Sequence, residues 1–353
     1  MPFSSKLAVT IAVALLALSA ASAAAPEKTP APAPIPAPKP VKVTFVTDWK
    51  AQAEHGGFYQ AVATGLYAKA GLDVSIKQGG PSVNTPQLIA AGAVDFAMGS
   101  NHFQPLNLAA AAADALAVAA IFQKDPQVLI THPRDDIKSI ADMKGKPIML
   151  SDATVSTWWI WAKSRYGFTD KQIRKYTFNL APFLTDTKAI QQGYVSSEPY
   201  TIESQGKIKP KIFLLADYGY PGYSNFIIAR GKDVRERPKM VQAFVNASLD
   251  GWASYLTGDP KPANDLIKRD NPEMTDDIIA QAIAQFKTRG MVQGSDAAKL
   301  GIGAMTDKRW KTFFDLMSKN KVFEKTLDYK KAYTTKFVNK GRGAPKPPAK
   351  KPN

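Results

Sequence analysis

The chain is predicted to be an α/β protein of two lobes, each a mostly parallel sheet flanked by helices, with a ligand cleft between them. Strand-like runs alternate with stretches of helical spacing, and this alternation is completed twice in succession, which calls for two sheets covered on both faces. About 300 of the 353 residues lie between the tails, enough to build two such lobes and too few for a large multi-domain enzyme.

The first element is not part of either lobe. Residues 1–25 run from a lone Lys6 through LAVTIAVALLALSA to small residues at Ala21-Ser22-Ala23, the three-part layout of a secretory signal peptide. The apolar run is shorter than the roughly 20 residues a membrane-crossing helix needs, so export rather than anchoring is expected. Cysteine is absent, which removes disulfides, thiolate metal sites, a Cys nucleophile and a lipid-modified cysteine together. A free periplasmic protein follows. Residues 26–40, PEKTPAPAPIPAPKP, favour extended polyproline II and form a spacer.

The lobes come next. VKVTFVT at 41–47 alternates as a strand, GFYQAVATGLYAKAG is helical to Gly71, and LDVSIKQ alternates again before the Gly79-Gly80-Pro81 turn. A helix near Thr85 to Ala91, a strand at Val94 to Met98, an alanine-rich helix after Pro105 and a strand in Ala117 to Gln123 complete the first set. The second comprises strands at Pro126 to Thr131, Pro147 to Leu150 and Lys211 to Leu215, with helices ending at Gly145 and spanning Thr157 to Tyr166. SNFIIAR at 224–230 reads as a further strand, and Lys239 to Leu256, Asp276 to Thr288 and Asp307 to Lys319 read as helices. The expected wiring is lobe one over 41–127, lobe two over 128–222, a return to lobe one over 223–340, and a basic, Pro-rich disordered tail over 341–353. Ligands of open α/β sheets sit beyond the carboxyl ends of the strands, so two facing sheets place one cleft between them.

The formal charge of +16 is spread over the tail and solvated helix faces, and no basic-aromatic nucleic-acid motif accompanies it. No partner of that kind is expected. With only three histidines there is neither a convincing Ser-His-Asp set nor a metal site, and no phosphate loop ending in Gly-Lys-Ser/Thr occurs.

The stretch from Thr47-Asp48-Trp49 through Glu54-His55-Gly56-Gly57-Phe58-Tyr59 to Gly65-Leu66-Tyr67 and Gly71-Leu72-Asp73-Val74, followed by Asp95-Phe96-Ala97-Met98-Gly99, Gly145-Lys146, Gln192-Gly193-Tyr194 and Glu198-Pro199, resembles a known family. It is similar to periplasmic substrate-binding proteins of the nitrate, sulfonate and taurine superfamily, closest to the branch that binds pyrimidine precursors of thiamine. Ala51 and Gln52 stand where that branch usually has Pro-Asn. The resemblance implies a type II periplasmic-binding-protein fold, capture of a small molecule by lobe closure, delivery to the membrane permease of an ATP-driven (ABC) importer, no cofactor and no catalysis. A monomer is expected.

The residues expected to bind ligand combine position with that resemblance. Trp49 follows a strand end, where its ring can stack on a flat heterocycle or pack under its own loop. His55 stands at a helix entry and Tyr59 four residues on, facing the cleft or the core. Ser100 follows a strand directly and is the preferred hydrogen-bonding group of lobe one. In lobe two, Ser151 to Thr157 leads into a helix beginning near Trp158, so Thr157 and free amides make a cradle for an anion or carbonyl, or an ordinary cap; Trp158 is the indole taken to face the ligand. Glu198 could accept two N–H bonds from an aminopyrimidine, or be a surface acid before Pro199, with Tyr194 on the same helical face. Tyr218, in the Tyr-rich 217–223 stretch, is expected at the hinge and cleft rim. Two other functions compete: binding of a small anion such as a sulfonate, taurine or nitrate, and a pyrimidine-forming enzyme like the fungal ones, which carry a cysteine-rich motif that this chain lacks.

Overall fold

The computed structural model describes residues 39–80 and 82–345; the expected signal peptide, most of the Ala/Pro spacer and the last eight residues lie outside them. Ten strands are present among the described residues: β1 (Val41–Val46), β2 (Leu72–Lys77), β3 (Phe96–Gly99), β4 (Ala115–Phe122), β5 (Gln127–Thr131), β6 (Ile148–Leu150), β7 (Ile173–Lys175), β8 (Ile190–Tyr194), β9 (Lys211–Leu214) and β10 (Ser224–Arg230). They form two five-stranded sheets, ordered β2-β1-β3-β10-β4 and β7-β6-β8-β5-β9. The chain crosses between them twice, after Phe122 and again after Leu214.

The sheets are mixed rather than mostly parallel. β1 pairs parallel with β2 and β3, but β10 pairs antiparallel with β3 and β4. In the second sheet β6 pairs parallel with β7 and β8, whereas β5 is antiparallel to β8 and β9. The crossings dictate this. β4 runs into the hinge and β10 runs out of it, so Phe122 and Ser224 pair as opposed ends, and Leu214 and Val128 do the same in the second lobe.

Both crossings are tied to one side chain. Arg309, on the helix Asp307–Lys319, donates to the carbonyls of Gln123, Pro221 and Gly222 at 2.5, 2.9 and 2.9 Å and lies 3.9 Å over the Tyr223 ring. Asp125 is buried beside this knot, and burial pushes its carboxyl up to about 7. Part of the expected tail is also built in. Gly341 donates to Leu300 O at 2.9 Å, Arg342 O accepts from Ile302 N at 2.8 Å, and the Arg342 guanidinium meets Asp250 at 2.6 Å.

Lobe one is built around an aromatic core. Phe45, Phe96 and Phe244 pack together, the last two stacked at 3.9 Å, and Trp252 is surrounded by Phe58, Phe122, Tyr255 and Phe286. The helices Gly56–Ala63 and Pro238–Thr257 cross at glycines: a Cβ on Gly251 would stand 2.1 Å from Gly57 O. Overpacking of this kind costs about 1–3 kcal/mol. Gly251→Ala is therefore expected to lower the urea midpoint by that amount of stability, and an unchanged midpoint would show that the two helices can separate freely.

Candidate ligand-binding cleft

The facing ends of the two sheets enclose a cavity of about 440 Å³. Lobe one contributes the turns after β1 and β3; lobe two contributes β5, the Ser151 to Thr157 segment, Phe178 and the turn after β8. This is the strand-end location that the topology calls for.

On lobe one, Asp48 follows β1 and is held from two sides. Ser100 Oγ donates to Asp48 Oδ2 at 2.6 Å, and His55 Nε2 lies 3.0 Å from Oδ1. A carboxylate can only accept, so Nε2 carries the proton. Ser100 is fixed in turn by Gln104 Oε1, which accepts its backbone N–H at 2.8 Å. Glu54, buried to 4 % exposure, accepts from the Ser196 hydroxyl across the cleft, while Gln281 donates to the Ser196 carbonyl. Burial raises the Glu54 carboxyl above its ordinary value, and the Ser196 hydroxyl opposes that rise.

On lobe two, Glu198 opens the helix Glu198–Gly206. Its Oε2 accepts the Tyr194 N–H at 2.8 Å, and Tyr176 OH approaches Oε1 at 3.5 Å. Burial raises this carboxyl too, against the lowering effect of the Tyr194 amide. Gly193 makes the room: a Cβ there would meet Glu198 Cβ and Oε2 at 3.0 Å. Trp49 and Phe178 reach each other across the cleft with ring centroids 5.2 Å apart. Phe178 holds φ at 62°, a left-handed conformation that disfavours a side chain by about 1–2 kcal/mol; such strain concentrates at functional rims.

Of the nine residues singled out from the sequence, Trp49, Ser100, Thr157, Tyr194 and Glu198 line the cavity together. The other four do not. His55 is fully buried behind Asp48. Tyr59 is buried with its hydroxyl on Asp270 at 3.2 Å. Trp158 is buried, as are Trp159 and Trp161, because the helix Trp158–Tyr166 turns its indoles into lobe two and away from the cleft. Tyr218 is half-buried, 6.1 Å from Phe213; the hinge tyrosine that touches both lobes is its neighbour Tyr220, beside Trp161 and Phe313, while Tyr223 bonds Asp296 within lobe one at 2.6 Å.

Two local expectations also change. Tyr194 and Glu198 do not share a helical face, since Tyr194 ends β8 and Glu198 begins the next helix. Thr157 is no free anion donor, because its hydroxyl points back to Ala153 O at 2.8 Å and Thr154 O at 3.2 Å.

Sequence reasoning missed Asp48, Glu54 and Phe178 as cavity residues. Asp48 and Glu54 bracket the Trp49 segment already singled out, and a carboxylate directly after a strand end was the available signal. Phe178 carried none. Among the described residues lining the cavity, three are carboxylates and none is Lys or Arg, and no group of acidic and His side chains suited to a metal ion occurs among the described residues.

Two sheets joined by a double crossing, with a cavity at their facing ends, define the architecture of the periplasmic binding proteins. Within it, the chain belongs to the NMT1/THI5-like family, whose profile matches residues 52–263, more than half of the sequence. It is similar to a formylaminopyrimidine-binding protein of Halalkalibacterium halodurans, 23% identical over 249 residues that cover 68% of this chain and 73% of the relative. In fold it is similar to the periplasmic aliphatic sulphonate binding protein of Escherichia coli (TM-score 0.64, 15% identity, 83% and 92% of the two chains). It is also similar to the alkanesulfonate-binding protein of Xanthomonas axonopodis bound to MOPS (TM-score 0.58, 13% identity, 84% and 99%).

Proposed function

We propose that this protein is the periplasmic solute-binding component of an ABC importer and captures a flat heterocycle rich in N–H donors, of the aminopyrimidine kind, by closing its lobes. The observation that carries this reading is the cavity lining: Asp48, Glu54 and Glu198 with Trp49, Phe178 and Phe103, and no basic side chain among the described residues. A sulfonate, taurine or nitrate ion would enter a site with no cation to pair it and several carboxylates to repel it. A planar ring instead meets aromatic faces, each stacked pair contributing about 0.5–1.5 kcal/mol beyond area burial, and its amino group meets carboxylate oxygens, each able to accept a further N–H bond. The name of the halalkaliphilic relative points the same way, while the folds shared with sulfonate binders keep the anion as the competing ligand.

Closure follows from differential contact. A ligand held by lobe one favours the closed state because Glu198, Tyr194 and Phe178 add contacts only there. The closed form then docks on its membrane permease as a monomer, with no reaction and no cofactor involved.

The test is a thermal-stability screen of refolded, ligand-stripped mature protein against aminopyrimidines, alkyl sulfonates, taurine and nitrate. A ligand at 100 times its Kd stabilises the folded state by about 2.7 kcal/mol, so an aminopyrimidine should raise the melting temperature and the anions should not. A shift with an anion alone would transfer the assignment to the sulfonate or nitrate class.

A further inference from the structure

We propose that Glu54 and Glu198, carried by opposite lobes into one cavity, form an electrostatic gate that holds the empty cleft open and is closed by a ligand bringing positive charge. The inference rests on the heterocycle reading and adds the charge state of the ligand and the control of closure.

The geometry supplies the gate. Glu54 on lobe one accepts from the Ser196 hydroxyl of lobe two, and Glu198 on lobe two accepts from the Tyr194 amide; the two donors, Ser196 and Tyr194, are two residues apart on one turn. Glu54 is nine-tenths buried, and its second oxygen accepts nothing from another residue among those described, yet the side chain faces the cavity. Opening the lobes would return both carboxylates to water. Closing them removes water from two like charges, and a Coulomb interaction that is weak in water grows severalfold as the effective dielectric falls.

Among the described residues lining the cavity, no Lys or Arg side chain offsets this. The titratable groups facing Glu54 are Asp48, His55 and Tyr255 from lobe one and Tyr194 from lobe two; those facing Glu198 are Tyr176, Tyr194 and Glu54. His55 is already engaged by Asp48. The positive charge that stabilises the closed cleft must therefore arrive with the ligand, as an ammonium arm or a protonated ring, or as protons taken up by the carboxylates themselves.

The last alternative fixes a pH dependence. Both carboxyls are raised by burial in this arrangement, so protonation favours keeping them buried between the lobes. That contribution is present at low pH and is lost as the pH rises through the raised values. The ligand-free protein should therefore become more compact as the pH is lowered through the raised values of these two carboxyls.

The experiment uses ligand-stripped mature protein and two probes of the same shape: 4-amino-5-aminomethyl-2-methylpyrimidine, with an ammonium arm, and its neutral 5-hydroxymethyl counterpart. Calorimetric titration at neutral pH should give the ammonium probe at least about tenfold tighter binding. Glu54→Gln, which keeps an acceptor for Ser196, should reduce that preference and lower the radius of gyration of the ligand-free protein in X-ray scattering. Glu198→Gln serves as the second variant should Glu54→Gln melt early. Equal affinity for the two probes, with scattering unchanged by pH and by both variants, overturns the gate and leaves the heterocycle reading intact. Binding of neither probe by protein that melts normally removes both.

Discussion

Glu198→Ala is expected to weaken aminopyrimidine binding by about 10- to 100-fold, since a hydrogen bond to a charged group contributes about 1.5–3 kcal/mol. The carboxylate is prepared for that role: Tyr194 N–H fixes one oxygen at 2.8 Å, Gly193 leaves space beside it, and the cavity wall holds the rest of the side chain. The substitution also frees the Tyr194 amide, so melting temperature must be recorded alongside calorimetric affinity. Loss of affinity with little loss of stability is the expected result. If stability falls and affinity for the heterocycle does not, Glu198 serves only to hold the turn between β8 and its helix through the Tyr194 amide.

The second large effect is expected away from the cleft. Trp252 is fully buried among Phe58, Phe122, Tyr255 and Phe286 and lies directly against Gly57. Truncating a buried Trp to Ala costs about 3–5 kcal/mol from lost transfer energy and the cavity left behind. Trp252→Ala should therefore remove a large share of the stability of a protein whose total is of order 5–15 kcal/mol. Because the helix Gly56–Ala63 carries Glu54 and His55 at its entry, ligand binding should fall with it. A urea titration followed by tryptophan fluorescence and by far-ultraviolet circular dichroism measures the loss; a midpoint equal to that of the parent protein would mean the core closes around the gap.

The sequence carried more of the fold than of the site. The C-terminal helices at Asp276–Thr288 and Asp307–Lys319 were legible to the residue, because long amphipathic periodicity is a local signal. β7 and β8 were not, since Ile173–Lys175 is short and Ile190–Tyr194 reads IQQGY, with two glutamines and a glycine. β8 is a strand because it is clamped between β5 and β6, and such pairing is decided by partners far along the chain.

What the sequence determined by itself was the α/β alternation, the two sets, and the residues that sit immediately beyond strand ends, among them Trp49 and Ser100. Only the tertiary structure decided which side chains look into the cleft. A helix entry such as His55 or Trp158 offers several directions within one turn, and the choice falls to whatever packs beside it: Asp48 draws the imidazole inward, and the lobe-two core takes the indoles. The partnership of Glu54 with Ser196, 142 positions apart, exists only because the double crossing folds one lobe onto the other, a relation to which no local period corresponds.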